Sequence, residues 1–329
     1  MNASDQPLLS VQDLRTYFHT FGGVVRAVDG VSFDLAPGEI LGLVGESGGG
    51  KSMIGFSIMG LIDPPGRIET GRILLDGRDL VQLGDTGMRS IRGREIAMIF
   101  QDPMTALNPL YTIGNQLEEM LRLHTKVPAS ERRARCIQML QEVGIPQPEA
   151  RLNNYPHQFS GGMRQRVVIA IAMIAGPRVL VADEPTTALD VTIQAQLLRL
   201  MKQQVRQRST SLILITHDLA AVSQMADRIV VLYCGRIVER GAADEIIRRP
   251  RHHYTRGLLD SIPKGANDGS RLRQIPGTVP DVRRLPQGCA FAPRCPAARD
   301  LCREVSPPLD DLARGHAVAC HFPLEARVQ

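Results

Sequence analysis

Ile40, Leu41, Gly42, Leu43 and Val44 form an apolar run, and Gly45-Glu46-Ser47-Gly48-Gly49-Gly50-Lys51-Ser52 follows it without a break. No other stretch limits so tightly what the chain can become. A short continuous apolar run reads as a strand buried on both faces, the kind found in parallel sheets. From about Lys51 the residues read as an apolar helix. Between the two stands a glycine, four residues, then Gly-Lys-Ser, the spacing of a phosphate-binding loop. Glycines let the backbone curl until successive N–H groups point inward at phosphate oxygens, and the following helix adds its positive end. Lys51 would then neutralise β and γ phosphates, and the Ser52 hydroxyl would complete a Mg²⁺ shell. A glycine-rich surface turn can share this composition, but it needs neither the strand before nor the helix after.

The remainder of residues 8–249 fits an α/β layering around this unit. Residues 179–182 and 212–215 are further continuous apolar runs, alternating with helix-period segments. Residues 105–160 contain a charged amphipathic run at 129–143 and read as a helical subdomain. Asp183 and Glu184 follow the strand at 179–182. A strand end can deliver Asp183 to the metal, while Glu184 is the candidate base that polarises an attacking water. Ten of the 22 prolines fall at or after Pro250, too many for long helices or central strands. A second, small Pro/Cys-rich domain is therefore expected over 250–329.

Four of the six cysteines, Cys289, Cys295, Cys302 and Cys320, stand in that tail, separated by 5, 6 and 17 residues. In a reducing compartment such a group suggests metal rather than disulfides. Cys136 and Cys234, in an expected helix and an expected strand, read as small core residues. Lys plus Arg exceed Asp plus Glu by 39 − 34 = 5 charges over 329 residues, too diffuse to argue for nucleic acid. The longest apolar stretches, 54–62 and 167–175, fall well short of the roughly 18 to 20 residues that span a bilayer. The first seven residues have neither a basic n-region nor an apolar h-region, so a cytosolic location is expected.

Phe159-Ser160-Gly161-Gly162-Met163-Arg164-Gln165-Arg166 lies about twenty residues before the acidic pair and resembles the signature of ATP-binding cassette (ABC) proteins. The resemblance implies a P-loop NTPase fold, with a mixed sheet core and a helical subdomain, and ATP hydrolysis with Mg²⁺. It also implies a head-to-tail dimer in which Ser160, Gly161 and Gly162 of one subunit cap the ATP of the other. Gln101 resembles the glutamine that contacts Mg²⁺ and the attacking water, so Ser52, Gln101 and Asp183 are the implied metal ligands. His217, in Thr216-His217-Asp218, resembles the switch histidine at the γ-phosphate, and Asp190 matches the loop coupling the two sites. Phe18 stands where an aromatic stacks on adenine, with Tyr17 as competitor. Phe159, Met163 and Gly49 depart from the commonest residues at their positions, but none removes a chemical group.

Longer strings narrow the resemblance: Phe100-Gln101-Asp102-Pro103-Met104-Thr105-Ala106-Leu107-Asn108-Pro109, Tyr155-Pro156-His157-Gln158, Asp183-Glu184-Pro185-Thr186-Thr187 and, in the tail, Pro286-Gln287-Gly288-Cys289 with Pro293-Arg294-Cys295-Pro296. These are similar to ATPase subunits of oligopeptide and dipeptide importers. The implied partners are a second ATPase subunit, expected to be a paralogue, two membrane permeases and, indirectly, an extracytoplasmic solute-binding protein. The implied location is the cytoplasmic face of the bacterial inner membrane, and residues 104–110 are the expected permease-docking segment. Some members of this branch carry an iron–sulfur cluster in the tail, so the four cysteines are expected to hold a [4Fe–4S] cluster, with zinc second and free or oxidised thiols third. Two other readings stay open: an importer of another solute such as nickel or glutathione, and a soluble ABC ATPase of translation or DNA repair.

Overall fold

The computed structural model describes residues 6–102, 106–186, 190–262, 274–313 and 315–325. Two compact units emerge, and the division does not fall at the change of composition near residue 250. One unit gathers Met1–Leu35, Ile40–Gln82 and Ile215–Gln329; the other gathers Ala36–Glu39 and Leu83–Leu214. The physical reason is strand pairing: the segment after residue 249 adds strands to a sheet that also carries the glycine-rich loop.

In the first unit, β1 (Leu9–Thr20), β2 (Gly23–Leu35), β4 (Gly66–Leu75) and β5 (Arg78–Asp79) form an antiparallel sheet in the order β2-β1-β4-β5. Along the end of β2, Val31, Phe33 and Leu35 are buried while Ser32 and Asp34 are exposed, the period of two expected when one face meets the core. β3 (Ile40–Val44) is buried throughout and runs parallel to β9 (Arg228–Tyr233). β9 turns back into β10 (Arg236–Ala242) through Cys234 and Gly235, both at positive φ, as a tight hairpin of right-twisting strands requires. Cys234 thus occupies a turn rather than the expected strand, although it is fully buried. The tail adds β12 (His316–Val318) to β10 and β11 (Asp310–Ala313) to β12, both antiparallel.

In the second unit, β6 (Ile96–Ile99) and β7 (Val179–Asp183) pair in parallel, with Ile99 opposite Ala182. β8 (Ser211–Thr216) leads the chain out of this unit, and all of its residues are buried. The helical region holds Ile113–His124, Ala129–Glu142 and the short Pro148–Arg151. The first two pack on each other and on Gly161–Met173. Ile113, Leu117 and Leu121 recur every four positions and are buried, so one apolar stripe faces the core. No helix among the described residues is long and apolar enough to cross a membrane.

Candidate functional site

The glycine-rich loop is shaped by two close backbone approaches. A Cβ on Gly45 would lie 2.2 Å from the Leu232 carbonyl oxygen, and one on Gly50 would lie 2.1 Å from that of Ala27. Gly50 also has φ +90°, a conformation that costs an L side chain about 1–2 kcal/mol. Gly235 N–H donates to the Gly49 carbonyl at 3.0 Å, which ties the loop to the β9–β10 turn. The helix Lys51–Met59 starts from Gly50 with no side-chain cap and no acidic residue in its first turn. Its N-terminal dipole therefore faces the loop with no acidic residue of the helix's own first turn to offset it. Lys51 is 4% exposed, and its Nζ donates to the Gly45 and Glu46 carbonyls, each at 2.9 Å. The amine is thereby aimed along the loop.

Glu46 is gripped from the far end of the chain. The Arg294 guanidinium forks onto its carboxylate at 2.6 and 3.0 Å, and the Tyr254 hydroxyl accepts the Glu46 backbone N–H at 2.7 Å. The remaining Arg294 N–H groups donate to the Tyr233 hydroxyl and to the Ile275 and Pro276 carbonyls, so all five donors of the guanidinium are used. The side-chain bond with Glu46 is the foremost cause holding Arg294 above its ordinary range. Burial pushes the Tyr254 phenol up as well, keeping it protonated. Nothing in local sequence reveals this contact, because its partners stand 248 positions apart; the only trace is an arginine beside Cys295.

Around the adenine candidates, Tyr17 is engaged. Its hydroxyl donates to Asp29 at 2.6 Å, and the Arg26 guanidinium lies 5.8 Å from its ring centroid. Phe18 makes no comparable polar contact; its ring lies so close over Gly66 that a Cβ there would come within 2.5 Å. His217, in the same unit, is exposed at the end of β8. The next residue, Asp218, caps the helix Leu219–Ser223 through the Ala220 and Ala221 N–H groups.

The second unit brings another part of the expected site together. Two residues beyond the Ile99–Ala182 pair, Gln101 Nε2 donates to Glu184 Oε2 at 3.2 Å. Parallel register carries the two chains to the same edge, where the side chains meet. Asp183, the last residue of β7, is 3% exposed, whereas Glu184 is half-buried and carries φ +45°. A non-glycine residue in that region is uncommon and belongs among strained functional positions. Ser160 caps the helix Gly161–Met173, its Oγ accepting the Met163 N–H at 3.4 Å. A Cβ on Gly162 would meet Ile193 at 3.1 Å. Asp190 caps the helix Val191–Gln207 by accepting the Ile193 N–H at 2.9 Å. In the expected docking segment, Leu107 is buried while Leu110 is 81% exposed, and Tyr111 just beyond it is 54% exposed; residues 104 and 105 lie outside the described residues.

In the tail, Cys289, Cys295, Cys302 and Cys320 line one cavity together with His252 and Phe291. All four are free thiols. Burial raises the Cys289 and Cys295 thiols and pushes Cys320 up to about 11. Burial likewise lowers His252 to about 4, and its neutral Nδ1 accepts the Tyr254 N–H at 3.0 Å. Four thiols are the right donors for a cluster or for zinc. Even so, no group of three or more His, Cys, Asp or Glu among the described residues is arranged to hold a metal ion.

Comparison with known proteins gives these features a common setting. Residues 28–187 match the family described as ABC transporter, and residues 238–302 match the oligopeptide/dipeptide transporter C-terminal region. The chain is 52% identical over 316 residues to a dipeptide transport ATP-binding protein of Bacillus subtilis, covering 96% of this chain and 94% of that one. It is 48% identical to the protein of the same description from Escherichia coli, with 97% of each chain covered. The cassette MJ0796, solved as a dimer in a post-hydrolysis state bound to ADP and Pi, superposes with a TM-score of 0.64 at 26% identity, covering 71% of this chain and 98% of that one. The chain belongs to the family of ABC transporter ATP-binding proteins that carry the oligopeptide/dipeptide transporter C-terminal region.

Proposed function

We infer that this chain is the ATPase subunit of an ABC importer and hydrolyses ATP to drive uptake of di- or oligopeptides through partner permeases. Glu184 carries the reading: a carboxylate at a strand end, in the left-handed region and hydrogen-bonded to Gln101, in a chain that also holds a braced phosphate loop. Gly45, Glu46, Ser47, Gly48, Gly49, Gly50 and Lys51 cradle the phosphates, and Phe18 rather than the engaged Tyr17 stacks on adenine. Ser52, Gln101 and Asp183 supply the hard oxygen donors that suit Mg²⁺, which neutralises phosphate charge when bound. Glu184 takes the proton of the attacking water and His217 senses the γ-phosphate. Ser160, Gly161, Gly162 and Asp190 serve the nucleotide of a partner subunit. The test is Glu184→Gln: ATP binding persists and turnover falls about 10²- to 10⁴-fold. Unchanged turnover would sink the assignment.

By the same reading, residues 8–249 form the catalytic division and 250–329 the extension. The subunit works beside a paralogous ATPase, on the cytoplasmic face of the inner membrane, with a solute-binding protein delivering substrate from outside. The exposed Leu110 and Tyr111 suit an apolar contact with a permease. Peptides are favoured over nickel or glutathione by the C-terminal match at 238–302; stimulation of ATPase by each solute in the reconstituted complex separates them. For the four cysteines we keep a [4Fe–4S] cluster ahead of zinc, because its irons each take one thiolate whereas zinc draws four ligands to one point. Iron, sulfide and zinc assays on anaerobically prepared protein decide between these and free thiols.

A further inference from the structure

We propose that Arg294, from the C-terminal extension, is a positioning residue for nucleotide binding: by holding the Glu46 carboxylate it cancels a negative charge on the phosphate loop and fixes the loop's shape. The inference rests on the ATPase reading above and assigns this arginine a part in it.

The argument begins with an oddity of the loop. A motif built to surround phosphate anions carries a carboxylate at its second position, and the Glu46 side chain is 29% exposed. Left alone, that charge would oppose the phosphates that the loop amides and Lys51 attract. Arg294 answers it with two parallel charge-assisted bonds at 2.6 and 3.0 Å, the fork geometry that an arginine supplies and a lysine cannot. The guanidinium side chain is 4% exposed, so solvent screens the pair little.

Arg294 is itself held immobile. Its other donors are taken by Tyr233, Ile275 and Pro276, and it ends the 3-10 turn Ala292–Arg294. Beneath the turn, the Phe291 ring packs against Tyr233 and Tyr254 at 5.4 Å from each. Tyr254 in turn accepts the Glu46 N–H. Backbone and side chain of one loop residue are thus both anchored to one preformed aromatic cluster. Preorganisation of this kind strengthens binding by reducing what must be ordered when the ligand arrives.

The experiment is calorimetric titration of the full-length protein with ATP and with ADP, and steady-state ATPase kinetics, for wild type, R294M, R294K and E46Q/R294M. R294M weakens both nucleotides about ten- to a hundred-fold, the worth of a charge-assisted bond. It raises KM for ATP with kcat little changed, the sign of lost uniform binding. R294K, which keeps charge without the fork, falls between. E46Q/R294M recovers most of the affinity lost in R294M, because the uncompensated carboxylate is gone. Equal affinities in wild type and R294M overturn the proposal, and so does a double variant as weak as R294M, which would mark a purely structural role. If R294M does not fold, R294K carries the test, and wild-type affinity in it counts against the proposal. Failure of the wild type to bind any nucleotide would instead remove the ATPase reading together with this inference.

Discussion

At Gly50 the demands of phosphate binding meet those of packing. The residue starts a helix from a left-handed conformation, and its α-carbon faces the Ala27 carbonyl. Alanine there would incur the left-handed penalty of about 1–2 kcal/mol and an overlap with backbone that no rotamer relieves. G50A is therefore expected to lower the melting temperature and to lose measurable ATP binding even where it stays folded. Wild-type binding in G50A, read by the same calorimetry, would show that the loop tolerates a side chain at this position. Glu184 poses the opposite case, a non-glycine residue at φ +45°. Here the surrounding structure holds the uncommon conformation, at the residue that the proposed function makes the base.

Among the elements, those legible in sequence share one property: their signal is local. β3, β7 and β8 announce themselves as runs of four or five apolar residues, and the structure extends the expected 179–182 and 212–215 by one or two residues. The helix expected at 129–143 ends at Glu142. The loop motif and its flanking strand and helix could be read directly, and parallel register then brings Gln101 to Glu184. What could not be read depends on pairings distant in sequence. The antiparallel sheet of β1, β2, β4 and β5 contains no single decisive run, and Arg294 meets Glu46 only through the fold. Asp29 illustrates such a long-range element contact. Burial alone would raise its carboxyl, but the Tyr17 hydroxyl and then the Arg236 guanidinium, with Arg15 adding charge, hold it below the ordinary carboxylate range. A carboxyl lowered in the folded state contributes stability that is complete above its unfolded value, near 3.8, and is lost as pH falls through the folded value. Asp29→Asn should flatten that acid limb of a stability-versus-pH curve measured by urea unfolding. An unchanged limb would show that the network of β1, β2 and β10 contributes nothing to acid stability.

Across the whole molecule, the proline- and cysteine-rich tail changes meaning. Composition marks the stretch as an extension, and its β12 pairs with β10 while the aromatic cluster joins Phe291 to Tyr233 and Tyr254. The tail is therefore part of what shapes the phosphate loop. Phe291 is 2% exposed, and its carbonyl accepts the Arg294 N–H at 2.9 Å, so its ring supports the turn from which the guanidinium extends. Phe291→Leu keeps an apolar side chain but loses the ring contacts, at a cost of about 1–3 kcal/mol for two aromatic pairs. Loosening the turn should also weaken ATP binding, although Phe291 lies outside the loop itself. If the effect travels through Arg294, the two substitutions are not additive: F291L/R294M binds ATP no more weakly than R294M alone. A double variant whose loss equals the sum of the single losses would mean that Phe291 acts on the loop by another route, with Tyr254 and its bond to the Glu46 amide the next candidate.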